Sequence, residues 1–295
     1  GEVVSVLMSV GTQGLILGLM VLGVYISYKL LDFPDMSVDG SFALGGAIIA
    51  VSLKNGLSPT AGSLLALLGG LAAGLLTGIL HVKIKISNLL SGILVMGILY
   101  SLNLRIMGRA NIPLFNTNHL FSSNFSPIII ALVLVVICKV LLDLFLKTGL
   151  GYTLKAVGDN PQMVSSLGVE VNNIKILGLM LSNAIISLSG SIMAQFQGFA
   201  DVSMGIGTLV LGIASIIIGK TLFGKARFLK ETSMILIGTI IYQFTIYLAM
   251  NLGMAATDLK MVTSLVIILF LGIGYLKNNG NISVFGKRRL LDAKN

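Results

Sequence analysis

The chain has 295 residues, of which 55% are hydrophobic and only 11% are charged, and its mean hydropathy is +0.98. So few polar residues cannot cover a globule in water, which excludes a soluble domain and favours an integral membrane protein. The net charge of +9 does not call for nucleic acid, because cationic loops beside anionic lipid headgroups account for it.

Hydrophobic runs long enough to cross a bilayer recur along the whole chain. A window of about 19 residues finds eight of them, near 9–30, 60–80, 88–108, 127–147, 173–197, 205–222, 232–252 and 259–276. Residues 40–54 form a ninth apolar run, which is too short to cross unless the polar residues before it also lie at membrane depth. The sequence predicts an all-α, polytopic membrane protein with about nine transmembrane helices (eight to ten) in one domain, 1–295.

The segment LDFPDMSVDGSF, residues 31–42, predicts a discontinuous early helix. A proline and a glycine precede a short apolar run, which is the pattern of a broken helix beside a transport path. The free N–H groups of such a break attract a solute carboxylate, while Asp39 either caps the helix or meets an ammonium group. Alternatively, Asp35 and Asp39 are ordinary helix caps on the cytoplasmic side, and the residues leave both interpretations open.

The basic residues predict the orientation. With nine crossings, one side of the membrane receives fourteen cations: Lys29, Lys83, Lys85, Lys147, Lys155, Lys175, Lys225, Arg227, Lys230, Lys277, Lys287, Arg288, Arg289 and Lys294. The other side receives Lys54, Arg105, Arg109 and Lys260. The positive-inside rule therefore places the first group, with the C-terminus and the basic tail 278–295, in the cytoplasm and the N-terminus outside.

Few groups suit catalysis or metal binding. The two histidines, His81 and His119, are predicted on opposite sides of the membrane, without a carboxylate pair or a cysteine cluster beside them. We therefore expect no catalytic residue, no metal site and no cofactor in this chain. Lys139 and Asp143 are four residues apart in one span, and we expect them to neutralise each other on one helix face rather than to relay protons.

Several polar residues at membrane depth are candidates for a transport pathway. They are Ser37, Asp39, Ser41, Asn88, Asn183 and Ser187. Any one of them is more often a hydrogen bond between helices than a solute contact. Asn183 and Ser187 share a small-residue face with Gly190, and we expect that face to line a dimer axis or the pathway. The polar loop 109–127 is either a docking surface on the outer side or a disordered linker.

A short polar helix is predicted between two hydrophobic spans, within AVGDNPQMVSSLG at residues 156–168. Asn160 suits the N-cap, Pro161 the first helical position and Gly168 a left-handed stop. A helix of about two turns is too short to be stable alone in water. It is either a surface helix at the membrane interface or a helix held by a partner.

The stretch KAVGDNPQMVSSLGVEVNNIKILGLMLSNAIISLSGSI, residues 155–192, resembles the central segment of permease subunits in bacterial ABC importers of the branched-chain amino acid and ribose permease family. DMSVDGSFALGGA (35–47) and GIGTLVLGIASIIIGKTLFGKA (205–226) are similar to two further motifs of that family. The match extends from about residue 9 to about residue 276. Asp39 departs from the sugar permeases, and LDFPDMSVDGSFALGGA instead resembles a branch linked to uptake of tryptophan and tyrosine.

The resemblance implies a permease domain in the bacterial cytoplasmic membrane and a coupling helix, about 156–168, that docks into a separate ABC ATPase. The ATPase-coupling residues it implies are Ala156, Val157, Gly158, Asp159, Asn160, Pro161, Gln162 and Gly168. It further implies ATP and Mg on that partner, an external substrate-binding lipoprotein or periplasmic binding protein, and a second permease copy. A phosphate-binding loop of the G-x-x-x-x-G-K-[ST] type does not occur in the sequence, so we expect no ATP hydrolysis by this chain. The alternative is a secondary transporter or channel that works without an ATPase.

Overall fold

The computed structural model describes the backbone of residues 1–292 and the side chains of residues 1–277 apart from that of residue 256. The helices are α1 (Glu2–Tyr25), α2 (Ser37–Lys54), α3 (Pro59–Val82), α4 (Asn88–Met107), α5 (Pro127–Leu146), α6 (Gly149–Asp159), α7 (Pro161–Ser166), α8 (Val171–Gln197), α9 (Thr208–Phe223), α10 (Glu231–Asn251) and α11 (Leu259–Asp292). A π-helical turn, Ile26–Leu30, extends α1, and two strands, β1 (Asn111–Pro113) and β2 (Phe199–Asp201), form an antiparallel ribbon.

The expected fold class is confirmed. Within the described part of the chain, eight helices are long and apolar enough to cross a membrane, and the shorter apolar helix α9 has 16 residues. The ninth span, which was doubtful from sequence, is α2, and it reaches 18 residues because it begins at Ser37 rather than at residue 40. Of the predicted basic tail, the backbone of 278–292 continues α11, while its side chains and residues 293–295 lie outside the described residues.

Helix α8 lies at the centre of the bundle, against α2 and α3. Glycines permit this close approach, since a Cβ at Gly45 or Gly70 would overlap the backbone of α8, and one at Gly190 would overlap the backbone of α2. Helix α1 packs against α8, α9 and α10 in the same way, with Gly212 of α9 against Val24. These small residues pack helices together, as their spacing predicts.

The bundle has two ends. We term the one that carries α7 (Pro161–Ser166) the α7 end and the one that carries the β1–β2 ribbon the ribbon end. Two cavities at the α7 end collect basic residues, one lined by Lys29, Lys220, Lys225 and Lys277 and the other by Lys147, Lys155 and Lys230. The ribbon joins the chain after α4 to the chain after α8, with Asn111 opposite Asp201. Loop 109–127 contacts the bundle there, since Leu120 N–H donates to Gln195 Oε1 over 3.1 Å and Phe121 packs edge-on against Phe196.

Two helices, α2 and α9, begin inside the bundle. In each case a long helix is followed by an irregular segment and then by a shorter helix: α1, residues 31–36 and α2, and later α8, residues 198–207 and α9. Helix α2 runs parallel to α8, because Ser41 meets Asn183 and Phe42 meets Gly190, whereas α9 runs from Asp39 towards the α7 end. The N-termini of α2 and α9 therefore meet from opposite directions, as in the discontinuous helices of transporters with inverted repeats.

The predicted ion pair in α5 is confirmed. Lys139 Nζ lies 2.6 Å from Asp143 Oδ2, with the side chains 19% and 11% exposed. Thr232 donates a hydrogen bond of 2.7 Å to Asp143 Oδ1, and Lys230 Nζ lies 3.9 Å from Asp143 Oδ2. Asp143 therefore has more partners than Lys139, for which the described residues give only Asp143.

Candidate functional site

Five polar side chains meet where α2 begins, and we term them the central polar cluster: Asp35, Ser37, Ser41, Thr77 and Asn183. They come from the irregular segment 31–36, α2, α3 and α8, and each has 0% of its surface exposed. The chain can start a helix there because these side chains satisfy the backbone groups that a helix end leaves free. Asp35 does cap α2, since its Oδ1 accepts the Ser37 N–H, but it does so while buried inside the bundle.

Asp35 and Asn183 hold the cluster together. Asp35 Oδ1 accepts hydrogen bonds from Ser37 N–H at 2.9 Å and Ser37 Oγ at 2.6 Å, and Asp35 Oδ2 accepts from Asn183 Nδ2 at 3.0 Å. Asn183 Oδ1 accepts from Ser41 Oγ at 2.6 Å, while Thr77 Oγ1 lies 3.1 Å from Ser37 Oγ. A buried carboxylate with three donors is well compensated, so the cluster fixes the start of α2 to α3 and α8.

Asp39 joins the two helix starts. Its Oδ2 accepts the N–H of Gly207 at 3.2 Å and its Oδ1 accepts the N–H of Leu209 at 3.0 Å. It thus caps α9 and not its own helix α2, and it places a carboxylate where the helix dipole favours negative charge. The residue is only partly buried, unlike the central polar cluster beside it.

The remaining pathway candidates lie apart from Asp39. Ser187 Oγ donates to the carbonyl of Ala66 on α3 over 2.6 Å. The face that carries Asn183, Ser187 and Gly190, which we expected to line a dimer axis or the pathway, instead packs against α2 and α3 of the same chain. Asn88 is the first residue of α4, partly exposed, and its side chain accepts only the N–H of Leu89.

The predicted polar helix is α7, and its local signals are confirmed. Asn160 Oδ1 accepts the N–H of Met163 at 3.1 Å, Pro161 is at the first position, and Gly168 has φ of +85°. Ala156, Val157, Gly158 and Asp159 belong to the preceding helix α6, because Asn160 (φ −153°) interrupts the helical backbone. Val157 and Val164 are buried, whereas Asp159, Asn160, Pro161, Gln162 and Gly168 are exposed.

Sequence reasoning missed one polar residue beside Asp39. Asn103 of α4 is 0% exposed and its Nδ2 donates to the carbonyl of Gly40 over 3.3 Å. Its Oδ1 is buried and has no hydrogen-bond partner among the described residues. The available signal was a polar amide in the middle of an apolar run.

Two titratable groups at the ribbon end have shifted pKa values. Hydrogen bonds from the Asn111 amide and the Ser203 N–H hold the pKa of Asp201 below its ordinary value, and partial burial lowers the pKa of His119. The ionised Asp201 therefore stabilises the ribbon above the carboxyl's unfolded pKa, and this contribution is lost as the pH falls through the folded pKa.

Comparison with known proteins gives a family match over most of the chain. Residues 6–272 match the profile of a family described as branched-chain amino acid transport system, permease component. The chain is 67% identical over 272 residues to the "Tyrosine transport system permease protein" of Clostridioides difficile (strain R20291), covering 92% of each chain.

Two other relatives are more distant. An uncharacterized protein of Rickettsia prowazekii is 32% identical over 282 residues, covering 92% of this chain and 98% of that one. The "Autoinducer 2 import system permease protein LsrC" of Yersinia enterocolitica is 28% identical over 192 residues, covering 63% of this chain and 52% of that one. No solved structure matches.

Proposed function

The chain belongs to the family of branched-chain amino acid transport system permease components, and from that premise we propose that it imports an aromatic amino acid, with tyrosine as the first candidate. As a family member it is the multi-span membrane permease of an ABC-type transport system, a transporter component and not an enzyme. Such permeases work with an ATPase and a binding protein.

The substrate proposal depends on one observation, the 67% identity to a tyrosine transport permease along nearly the whole of both chains. The motif around Asp39 supports the same substrate class, since it departs from the sugar permeases at this residue.

The surface of α7 supports a role as the coupling helix of the ATPase partner. Met163 of α7 and Leu167, the C-cap residue that follows the helix, are 52% and 74% exposed and lie about one turn apart. Val164, which lies between them in the sequence, is only 3% exposed and belongs to the hydrophobic core. Exposed apolar side chains on a polar loop suit a cleft in a partner protein better than water, and in this proposal that partner is the ATPase, which carries ATP and Mg.

Contacts behind α7 support a route from the ATPase to the break before α2. Helix α6 packs on the π-helical turn, and a Cβ at Gly158 would overlap the carbonyl oxygen of Leu30. Leu31 in turn packs against Gly178 on α8, where an added Cβ would overlap the Leu31 side chain. Four residues after Leu31 comes Asp35, the buried carboxylate of the central polar cluster. Displacement of α7 is thereby passed to the start of α2, which alternates access between the two sides.

The α7 end is assigned to the cytoplasm in this proposal, because it carries most of the basic residues. The N-terminus then lies outside and Lys277 lies inside. The ribbon end faces the external binding protein, and loop 109–127 offers it exposed aromatic residues, Phe115 at 77% and Phe125 at 69%. A second permease copy and membrane lipid complete the assembly.

The test is uptake by the reconstituted complex. The chain, its ATPase and its binding protein are placed in liposomes, with the ATPase side facing enclosed ATP and Mg, and radiolabelled tyrosine is added outside with the binding protein. We expect accumulation that requires all three proteins, is lost with an ATPase variant unable to hydrolyse ATP, and is inhibited by phenylalanine or tryptophan more than by leucine or ribose. Uptake by the chain alone without ATP would indicate a secondary carrier, and preference for ribose would contradict the substrate.

A further inference from the structure

A cavity of about 340 Å³ lies beside Asp39, between α2, α4 and the segment before α9. Its lining residues are Asp39, Gly40, Met96, Gly97, Tyr100, Asn103, Val202 and Ile206. The volume is in the range of small-molecule sites, which are mostly apolar with a few fixed polar groups. The β1–β2 ribbon lies next to it, because Val202 N–H donates to the carbonyl of Ala110 over 2.9 Å.

Apart from the Tyr100 hydroxyl, which can donate and accept, the polar side chains of this cavity offer hydrogen-bond acceptors. Asp39 accepts one N–H on each carboxylate oxygen, which leaves further lone pairs on both. The carbonyl of Gly40 fixes the orientation of the Asn103 amide, since exchanging its O and N atoms would place two acceptors together. Asn103 Oδ1 is therefore a buried acceptor whose donor is absent from the described residues.

An unpaired buried acceptor is costly, so we look for its donor in a ligand that enters the cavity beside it. A primary ammonium group has three N–H donors and a positive charge, which complements both the Asp39 carboxylate and the Asn103 carbonyl. Sugars and other neutral polyols would satisfy the acceptors but not the charge.

The rest of the lining is apolar and suits a large side chain. Met96, Tyr100, Val202 and Ile206 surround the acceptors, and a thioether and a phenol ring both pack well against an aromatic ring. Gly97 leaves the rim open, because a Cβ there would meet no atom within 4 Å.

The position of Asp39 argues that this cavity does not open to lipid. Asp39 lies inside a span, and Tyr100 and Ile206 on the cavity rim are 50% and 66% exposed. A carboxylate that faces hydrocarbon is energetically unfavourable. This side of the bundle is therefore expected to border an aqueous route or a second copy.

We propose that the cavity between Asp39, Asn103 and Tyr100 is a solute subsite on the transport route, which binds the ammonium group of an amino acid between Asp39 and Asn103 and its large apolar side chain against Met96, Tyr100 and Ile206. This deepens the proposed function and depends on it for the identity of the amino acid.

Charge-selective labelling of single cysteines tests the subsite. Cys138, the one native cysteine, is replaced by Ala, and Ile206→Cys reports on the cavity in the reconstituted permease–ATPase complex. Ile98→Cys is the matched control, since Ile98 is 50% exposed on α4 but does not line the cavity. Each variant is treated with a cationic aminoethyl and an anionic sulfonatoethyl methanethiosulfonate, and rates are normalised to those of free cysteine.

We expect the cationic reagent to label Ile206→Cys about tenfold faster than the anionic one, which corresponds to about 1.4 kcal/mol. Asp39→Asn should remove most of this preference, and Asn103→Leu provides a second variant if Asp39→Asn does not assemble. Ile98→Cys should show no preference. Equal normalised rates at Ile206→Cys, or the same preference at Ile98→Cys, would overturn the subsite.

Protection by ligands identifies the recognised group. Without the binding protein, tyrosine and tyramine at millimolar concentration should slow labelling of Ile206→Cys, while 3-(4-hydroxyphenyl)propionate, which lacks the amine, should not. Equal protection by all three, or none, contradicts the ammonium subsite. Tyrosine uptake by the wild-type complex is measured in parallel, so that loss of the subsite with uptake intact is distinguished from failure of the proposed function.

Discussion

Gly158 of α6 lies directly against the carbonyl group of Leu30, the last residue of the π-helical turn, with no room for a side chain between them. This contact connects the helix that precedes α7 to the segment that leads into the break before α2. In the proposed mechanism Gly158 lies next to the ATPase-coupling helix, whereas Leu30 precedes the segment that lies on the transport route.

Gly158→Ala is expected to uncouple the transporter. The added methyl must push α6 away from Leu30, and overpacking of this kind costs about 1–3 kcal/mol. We expect the tyrosine uptake rate to fall about tenfold while ATP hydrolysis by the complex continues. Gly149→Ala is the matched control, because a Cβ there meets no atom within 4 Å. Equal uptake by both variants would show that the contact carries no coupling.

Met163→Gln and Leu167→Gln should each weaken binding of the ATPase subunit. Both exposed side chains are expected to be desolvated in the partner's cleft, and losing one costs about 1–2 kcal/mol. The measurement is the Kd between the permease in nanodiscs and the isolated ATPase, which should rise about tenfold for each variant. Ser165→Gln, on the same helix and exposed, should leave it unchanged. Unaltered affinity of both apolar variants would rule out α7 as the docking element.

Asp39→Asn should slow uptake about fivefold and leave assembly intact. Asparagine keeps the shape and one acceptor oxygen, so α9 loses part of its cap but not its position. The negative charge is removed. Uptake is compared with that of Asp201→Asn, a carboxylate at the ribbon with mainly local partners. Normal transport by Asp39→Asn would remove Asp39 from the pathway.

Asn183→Leu should destabilise the bundle by about 2–3 kcal/mol. Leucine removes the donor to Asp35 Oδ2 and the acceptor of Ser41, which leaves a buried carboxylate short of one partner. The thermal midpoint in detergent should drop by several degrees, as followed by size-exclusion chromatography after heating. Asn88→Leu is the control, because Asn88 is partly exposed and bonds only its neighbour's N–H. A midpoint equal to wild type would mean that Asp35 does not need Asn183.

Substituting the two residues of the α5 ion pair should lower the stability of the protein by unequal amounts. Asp143→Leu leaves the ammonium of Lys139 without its carboxylate and should cost about 3 kcal/mol. Lys139→Met should cost about 1 kcal/mol, since Asp143 keeps Thr232 and Lys230. Thermal midpoints of both variants and of the double variant measure the difference. Equal losses of stability in Asp143→Leu and Lys139→Met would contradict the conclusion that Asp143 has more partners than Lys139.

Local signals predicted much of this structure. The spans follow from the length of the apolar runs, and the boundaries of α7 follow from Asn160, Pro161 and Gly168, each of which acts on its immediate neighbours. The Lys139–Asp143 pair is equally local, four residues apart on one helix.

Features that depend on distant residues were not predicted. Asp35 and Asn183 are 148 positions apart, and Asp39 caps a helix 168 to 170 positions away. The strands β1 and β2 have three residues each, too few for an alternating pattern, and they exist because the ends of α4 and α8 meet. Asn103 gave no signal beyond its polarity, since only the packing around it shows an acceptor without a donor.

The β1–β2 ribbon has a mechanical consequence. It ties the ends of α4 and α8 to each other through backbone hydrogen bonds, whereas along their length both helices pack against α2 and α3. Two helices that are connected at one end tilt about that end. A displacement applied to α4 or α8 far from the ribbon is therefore expected to change the angle between the helices and not to shift them as a whole. We expect the widest swing near α7 and almost none at the ends that the ribbon connects.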